Sequence, residues 1–450
     1  MEDLEHFADL TITPTKPGTR KVLGAGESLN TTFSVDASEP HAIEEACHFR
    51  WPDADHEFEI VKRLLGKPKL DWSEYYQLME EAQNVWVTSK PRQLLFRMHP
   101  SDATERQRAK RQNTHRVHFS VTSVCVNEFY AFVVRKRVED SPTLLAVACV
   151  DGVNEVVWDD TDIEVSKFRV ASAFFDLLFL IDDYIMKIVY VPEKTLLRSI
   201  DMTPLIQEHF PSDTPPLINS IRASTHLVLV SVMRLGLLVF SRTPDIPLLQ
   251  AIPCDITAAD CSRHDMIVIG MHNGDVQYWV FQEDGNFACV ETEMMFTKDV
   301  TAAHKKPINM KPESPWNVRV MGPRVAVSSQ HYFVMADRTP TSSRICKLDD
   351  AGTIDFFTVF GDFVVISEHS KAVLMSEYAS GTVFYRSDEP KKWCEKSASM
   401  GSQHLSYAYD KIIDLLPNGD VLVITTKPKE VARVAPTLHS GLEKPTIVLL

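Results

Sequence analysis

From Val117 onward one local pattern recurs: a short apolar run, a turn, and a second β-forming run. The best-marked copy is Met266–Phe281, MIVIGMHNGDVQYWVF, where an apolar strand meets His-Asn-Gly-Asp and then an alternating strand. Ile412–Thr425, IIDLLPNGDVLVIT, repeats it down to the Asn-Gly-Asp-Val tetrapeptide. Asn-Gly and Gly-Asp tolerate the positive φ of a tight hairpin, so a repeated hairpin explains a repeated tetrapeptide. Weaker copies are Leu177–Val191, Leu227–Ser241, Val325–Asp337 and Phe363–Glu377; Val121–Arg137, followed by Leu144–Val150, is an earlier one. Successive copies begin roughly 40 to 60 residues apart, the period of a four-stranded blade. The pattern predicts a mainly β chain, a β-propeller of about seven blades, with six and eight also compatible. A β-sandwich would use fewer strands without this repetition. A parallel α/β fold would need helices in connections that here are rich in Pro, Ser and Asp.

The chain's 450 residues exceed what one hydrophobic core supports, which suits a repetitive architecture. Net charge is −14, which argues against nucleic acid as the main ligand. The eight cysteines are scattered without a CxxC pair, as reduced thiols used as small hydrophobes would be, not as a disulfide framework or zinc site. The opening MEDLEHFADL lacks the basic-then-apolar layout of a signal peptide. The most apolar run, Ala171 to Ile181, contains Asp176 and ends at Asp182-Asp183, too short and too charged to span a bilayer. A cytoplasmic or nuclear protein that does not engage membrane is expected.

Upstream of the repeats the texture differs. Residues 1–40 are rich in Thr, Ser, Gly and Pro without an apolar period, and read as a flexible N-terminal segment. Residues 41–89 read as a helical docking segment. Glu57–Leu65 places Phe58, Val61, Leu64 and Leu65 at helical spacing, and Ser73–Trp86 does the same with Tyr76, Met79, Ala82 and Trp86. Trp72 and Tyr76 are four apart and share a helix face, and Trp86 returns to nearly the same stripe. Such a stripe packs on the propeller or on a partner, because a soluble chain does not leave it in water. Residues 90–116 carry eight Lys or Arg against two acids and read as a basic connector. The propeller is expected over 117–450.

Asn273-Gly274-Asp275-Val276-Gln277-Tyr278-Trp279 resembles the third-strand region of a WD repeat, and Trp158-Asp159 is a literal Trp-Asp pair. The Gly-His pair that opens many WD repeats is missing, so the resemblance is to a divergent WD-like propeller. Asp71-Trp72-Ser73-Glu74-Tyr75-Tyr76, running on to Asn84-Val85-Trp86, is similar to the linker helix of F-box/WD-repeat proteins. The order of aromatic helix, basic stretch and propeller is also theirs. Residues 1–60 lack the Leu-Pro opening of an F-box; Ala46–Trp51 is similar to its Cys/Arg/Trp helix. This resemblance implies a substrate-recognition subunit of a cullin-type ubiquitin ligase, the propeller holding the target and the helices docking to an Skp-type adaptor.

No catalytic constellation accompanies these features. The sixteen histidines include no HExxH pair; His115 and His118 lack an acidic or thiol partner nearby. The acid pairs Asp159-Asp160, Asp182-Asp183 and Asp349-Asp350 read as solvated turns, since neighbours on a strand point to opposite faces. Gly24-Ala25-Gly26-Glu27-Ser28 lacks the Lys-Ser/Thr of a phosphate loop. The expectation is a non-enzymatic protein-interaction module without cofactor or metal. Candidate partner-binding residues are Trp72, Tyr76 and Trp86 on the helix, and Arg234, His272, Asn273, Tyr332, Arg338 and Lys371 on inter-strand loops. The alternative to the ligase subunit is a propeller scaffold of another multiprotein assembly. The two separate on whether the helices project from the propeller or lie against it.

Overall fold

A computed structural model describes residues 40–51, 53–88, 92–97, 120–136, 143–150, 163–261, 266–294, 313–322, 324–330, 332–338, 343–348, 354–360, 363–368, 371–377, 384–386, 404–408, 411–415, 421–425 and 446–449. Three helices come first: α1 (Pro40–Arg50), α2 (Ala54–Leu64) and α3 (Trp72–Thr88). Strand β1 (Arg92–Arg97) follows. Blade one is β2 (Ser120–Val126), β3 (Tyr130–Lys136) and β4 (Thr143–Cys149). Blade two is β5 (Phe168–Phe174), β6 (Leu177–Asp182), β7 (Ile185–Tyr190) and β8 (Thr195–Asp201), followed by a short helix α4 (Thr203–His209). Blade three is β9 (Ile218–Ala223), β10 (Leu227–Val232), β11 (Gly236–Ser241) and β12 (Leu248–Pro253). Blade four is β13 (Ile256–Asp260), β14 (Met266–Met271), β15 (Asp275–Phe281) and β16 (Phe287–Met294). Blade five is β17 (Asn317–Met321), β18 (Arg324–Ser328), β19 (Phe333–Arg338) and β20 (Ser343–Leu348). Blade six is β21 (Ile354–Phe360), β22 (Phe363–Glu368), β23 (Lys371–Glu377) and β24 (Phe384–Arg386). Blade seven is β25 (His404–Ala408), β26 (Lys411–Leu415) and β27 (Val421–Thr425), extended by β1 and by β28 (Thr446–Leu449).

Six of these sheets are antiparallel meanders, and the seventh is the meander β25-β26-β27 with β1 and then β28 added at its edge. The first strands meet round a ring: β2 touches β5, β5 touches β9, β9 touches β13 and β13 touches β17. Contacts of β18 with β21, β21 with β25 and β25 with β2 complete it. A cycle of meander sheets joined through their inner strands is a β-propeller, here with seven blades.

The burial of each strand follows from its place in the blade. Second strands lie between neighbouring blades on both faces, so β10 (LVLVSV) and β18 (RVAVS) are buried along their whole length. Outer strands face water: β8 (TLLRSID) is exposed at all but one residue. Between adjacent blades lie separate apolar cores. Val230 and Leu238 of blade three meet Ile181 and Ile188 of blade two, and Val327 of blade five meets Val268 of blade four. Phe333 and Phe357 carry the series on to blade six at 4.9 Å between ring centroids. Ala131 and Val133 of blade one pack with Ile413 and Val423 of blade seven, closing the circle in side chains as well as backbone.

Strand β1 lies inside the stretch expected to be a basic connector. It pairs with β27 in register Leu94↔Val423 and with β28 in register Leu95↔Val448. The basic side chains flanking Leu94-Leu95-Phe96 obscured a strand whose backbone groups find partners only in the last sheet. Helix α1 was likewise not foreseen as a separate element. The two helices that follow fall where helical spacing placed them, at Ala54–Leu64 and Trp72–Thr88.

At the repeated tetrapeptide, Met271–Gly274 forms the turn between β14 and β15; Gly274 N–H donates to the Met271 carbonyl at 3.0 Å. Gly274 has φ +98°, a backbone region that a β-branched residue resists. The Asn418-Gly419 copy lies outside the described residues, although β26 and β27 on either side of it pair as an antiparallel hairpin. Gly274→Val is expected to destabilise the protein by about 1–2 kcal/mol, the cost of a left-handed conformation for a side-chain-bearing residue. An unchanged midpoint in urea denaturation would refute this role for the turn.

Candidate functional site

In a four-stranded meander, the turns joining strands one to two and three to four share one end. The turn between strands two and three and the crossover to the next blade share the other. The propeller therefore has two unlike faces, and the helices decide which is which. Helix α2 lies on the face of the first-to-second turns. There Arg63 forks onto Asp176 in the β5–β6 turn, with Nη1 donating to Oδ2 at 2.9 Å and Nη2 to Oδ1. Tyr130 Oη donates to the same Asp176 Oδ1 at 2.8 Å, and the guanidinium lies 4.1 Å over the Phe129 ring. A bidentate arginine pair with an aromatic beneath it is the strong form of such a contact. His56 stacks on Phe174 at 5.4 Å and meets Phe175 edge-on. The apolar face of α2, Ile60, Val61 and Leu64, merges into one core with Phe132 of blade one and Leu178 of blade two.

The start of α2 reaches the far side of the channel. The carboxyl of Asp53 is held well above its usual range by burial first, then by the charges of Glu57, Asp260, Asp55 and Glu128. Burial pushes Glu57 up to about 7, against the pull of the Tyr75 hydroxyl bond and the Arg324 charge. Tyr75 Oη donates to Glu57 Oε2 at 3.2 Å. Asp176 belongs to blade two, Asp260 to blade four and Arg324 to blade five, so α2 crosses the mouth of the central channel and forms a cap on that face.

Aromatic rings bind the three helices together. Trp51 is fully buried, with Tyr75 at 5.7 Å and Tyr76 at 5.3 Å between centroids. Trp72 packs on Phe58 at 4.3 Å, His48 at 5.0 Å and Tyr75 at 5.6 Å. Trp72 and Tyr76 are thus half-buried among the helices themselves, and the fully buried ring of α3 is Tyr75. Sequence spacing missed Trp51 and Tyr75 because helix α1, which brings Trp51 over α3, was not foreseen. Trp86 lies on α3, and its side chain is outside the described residues. The outward side of α3 carries Ser73, Gln77 and Glu81.

The opposite face carries the second-to-third-strand turns and none of α1–α3. Arg234 and His272 stand in second-to-third-strand turns of blades three and four, and Arg234 Nη2 lies 2.9 Å from His272 Nε2. An arginine has only donors, so Nε2 accepts and the ring proton sits on Nδ1, 3.4 Å from Ser314 Oγ. Ser314 Oγ donates to the His272 carbonyl at 2.6 Å and ties this turn to blade five. Asn273 is committed to its own turn: its Oδ1 accepts from Asp275 N at 3.1 Å. Lys371 opens β23 on this same face, whereas Arg338 closes β19 at the opposite end; the side chains of both are outside the described residues.

Two expectations are corrected by burial. Tyr332, expected on a binding face, is only 8% exposed, inside the core between blades four and five. It stands beside a turn, yet its ring points inward among Val268, Val327 and Val334. Asp182, read as half of a solvated pair, is buried. Its Oδ1 accepts from Ser166 N at 3.0 Å and Lys167 N at 2.6 Å, and its Oδ2 from Lys187 Nζ at 2.7 Å. Burial pushes this carboxyl up, but the Lys187 and backbone bonds prevail and hold it below the usual range. Asp183 does behave as a turn residue, with φ +58° and ion pairs to Lys167 and Arg169. The pairs at 159–160 and 349–350, and His115 and His118, lie outside the described residues.

Three apolar residues on the open face had not been singled out. Leu217, Met233 and Trp316 are 44%, 44% and 51% exposed. Met233 is in the β10–β11 turn and donates its N–H to the Leu217 carbonyl; Trp316 donates its own to Ser328 at the start of blade five. Nothing in an isolated Leu, Met or Trp distinguishes core from surface before the strand register is known. Among the described residues, no three His, Cys, Asp or Glu side chains are grouped to hold a metal.

The raised carboxyl of Glu57 makes the cap sensitive to pH. Its folded state binds a proton more tightly than the unfolded chain, so this group's stabilising contribution is full at acidic pH and declines as pH rises through about 7. Glu57→Gln keeps an acceptor for Tyr75 without the charge. The variant is expected to melt about 2–4 °C above the wild type at pH 8, with the gap closing toward pH 5. A gap that is absent at pH 8, or that widens on acidification, would contradict the buried-carboxyl account.

No family model and no curated protein matches the chain. Among solved structures it is similar to a chain of the mitotic checkpoint complex, at 8% identity and a TM-score of 0.42, over 68% of this chain and 87% of that one. It is similar to Kluyveromyces lactis Hsv2 at 11% identity and a TM-score of 0.42, over 67% and 91%. It is also similar to the WD40 β-propeller domain of Doa1 at 9% identity and a TM-score of 0.40, over 70% and 99%. The seven-bladed propeller itself stands on the ring of inner strands and the meander of each sheet.

Proposed function

We propose that this protein is a non-catalytic scaffold that holds a protein partner on its open face, with the helical segment fixed to the other face as part of the propeller. The observation that carries this reading is the exposed group Leu217, Met233 and Trp316 around the Arg234–His272 contact. Tryptophan and arginine in partly apolar surroundings are the residue types that dominate binding energy at protein interfaces. The turns that present them are held by backbone bonds to blades three to five, so a partner would meet a preorganised surface.

Substrate recognition in a cullin-type ubiquitin ligase is a specific version of this function. It asks the helices to offer an apolar surface to an Skp-type adaptor. The described helices lie against blades one and two, and the outward side of α3 is Ser73, Gln77 and Glu81. That arrangement favours the scaffold version over the ligase version.

Affinity purification of the full chain, compared with Trp316→Ala and Met233→Asp variants, separates these outcomes. Both substitutions are at exposed positions and are expected to leave the melting temperature unchanged. Each is expected to weaken the main partner by about thirtyfold, the effect of an interface residue worth about 2 kcal/mol. Recovery of the same partner by both variants would overturn the open-face assignment. Co-purification of a cullin and its adaptor, lost on surface substitution of the helices, would establish the ligase version instead.

A further inference from the structure

The inner strands of blades three, four and five put an unusual set of charges at the capped end of the channel. Arg222 is on β9, Asp260 on β13 and Arg319 on β17, three consecutive strands of the inner ring. Asp260 is buried, and its Oδ2 accepts the Val320 N–H at 2.9 Å. Arg222 and Arg319 are half-buried, and among the described residues neither guanidinium has a hydrogen-bond or ion-pair partner. Together they carry ten N–H donors with fixed geometry. Two cations confined together are costly to bury, and Asp260 offsets them only in part: the Arg319 charge, ahead of burial and against the pull of Asp260, brings Arg222 down to about 10.

The cap reinforces this surplus. Asp53 and Glu57 lie over the mouth, and burial pushes both carboxyls up, Glu57 to about 7, so that Glu57 is only partly charged at neutral pH. Arg324 is buried at the β17–β18 turn of the same end, where its charge acts on Glu57. Among the described residues no hydrogen-bond acceptor meets either guanidinium. We propose that the capped mouth of the channel binds a small oxyanion of the phosphate class between Arg222 and Arg319. Arginine forks match such oxygens bidentately, and binding would relieve the repulsion between the two guanidinium groups. Because α2 crosses the mouth, the anion is a soluble one and not the headgroup of a lipid in a bilayer. The site is on the opposite face from the partner surface and does not depend on it.

The test uses the full chain and thermal unfolding in inorganic phosphate, pyrophosphate and inositol hexakisphosphate, with sodium chloride at matched ionic strength as reference. A saturable rise in melting temperature with at least one of these anions, beyond the chloride reference, is expected. Arg222→Gln and Arg319→Gln are each expected to weaken the response about tenfold or more, the loss of one charge-assisted contact. Without added anion, each variant is expected to melt at or above the wild-type temperature, since it loses a facing cation. A lower anion-free melting temperature would show that the arginine is satisfied within the protein and would overturn the proposal. So would the absence of any response beyond chloride, or an equal response in both variants. Flotation with phosphoinositide-containing vesicles, without a response to the soluble anions, would overturn the enclosed site. The Trp316→Ala variant is expected to keep the full anion response, so a failure of this proposal is distinguishable from a failure of the open-face function.

Discussion

The backbone pairing of β1 with β27 is the contact on which the ring depends. Every blade has two faces that are apolar until a neighbour covers them, so an open row of blades would expose the faces at both ends. Blade seven meets blade one through Ile413, Leu415, Val421 and Val423 against Ala131 and Val133. A strand from upstream of blade one, inserted between β27 and β28, fastens that junction with hydrogen bonds. Free strand edges invite pairing with other chains, and insertion of β1 satisfies the edge of β27 within the molecule. The inter-blade cores, the channel and the two faces all presuppose this closure.

The cap is a second consequence of the same geometry. A ring of seven blades leaves an axial channel, and α2 spans one end of it from Asp176 to the neighbourhood of Asp260 and Arg324. The Arg63–Asp176–Tyr130 cluster anchors one end of the helix, and the carboxyls of Asp53 and Glu57, both pushed up by burial, sit at the other. One face of the propeller is therefore occupied by helices α1–α3, and Trp316 and Arg234 lie on the other.

The residues themselves explain which parts of this were legible in the sequence. The repeat units that announced a propeller, such as LVLVSV and MIVIGM, are second strands, buried on both faces and hence continuously apolar. First strands such as ITAAD and INSIRA are mixed in character because one side faces the channel or a polar neighbour, and they gave no signal. The exposed fourth strands gave none either. Strand β1 was hidden because its apolar triplet is enclosed by arginines. Helical spacing located α2 and α3 but not the ring that α3 buries most deeply: Tyr75 and Tyr76 differ by one position, and only the packing of Trp51 chooses between them. Tyr332 and Asp182 were misplaced for the same reason, since a residue beside a turn points inward or outward according to a register fixed by the strands around it. The charges of Arg222, Asp260 and Arg319 come from the neighbouring inner strands β9, β13 and β17, far apart in sequence, and no local pattern brings them together.

The short distance along the chain between Thr88 at the end of α3 and Arg92 at the start of β1 ties the cap to the closing strand. During synthesis α3 and β1 appear early, while β27, the strand that β1 pairs with, is made only after blades one to six. Contacts between such distant segments form slowly, because much chain must be ordered before they bring any gain. Helices α1–α3, already seated on blades one and two, would hold β1 close to the gap and keep its edge from straying to another nascent chain. The helical segment then acts as an internal chaperone for assembly of the ring, and the last event of folding is the capture of a strand that was among the first to be made.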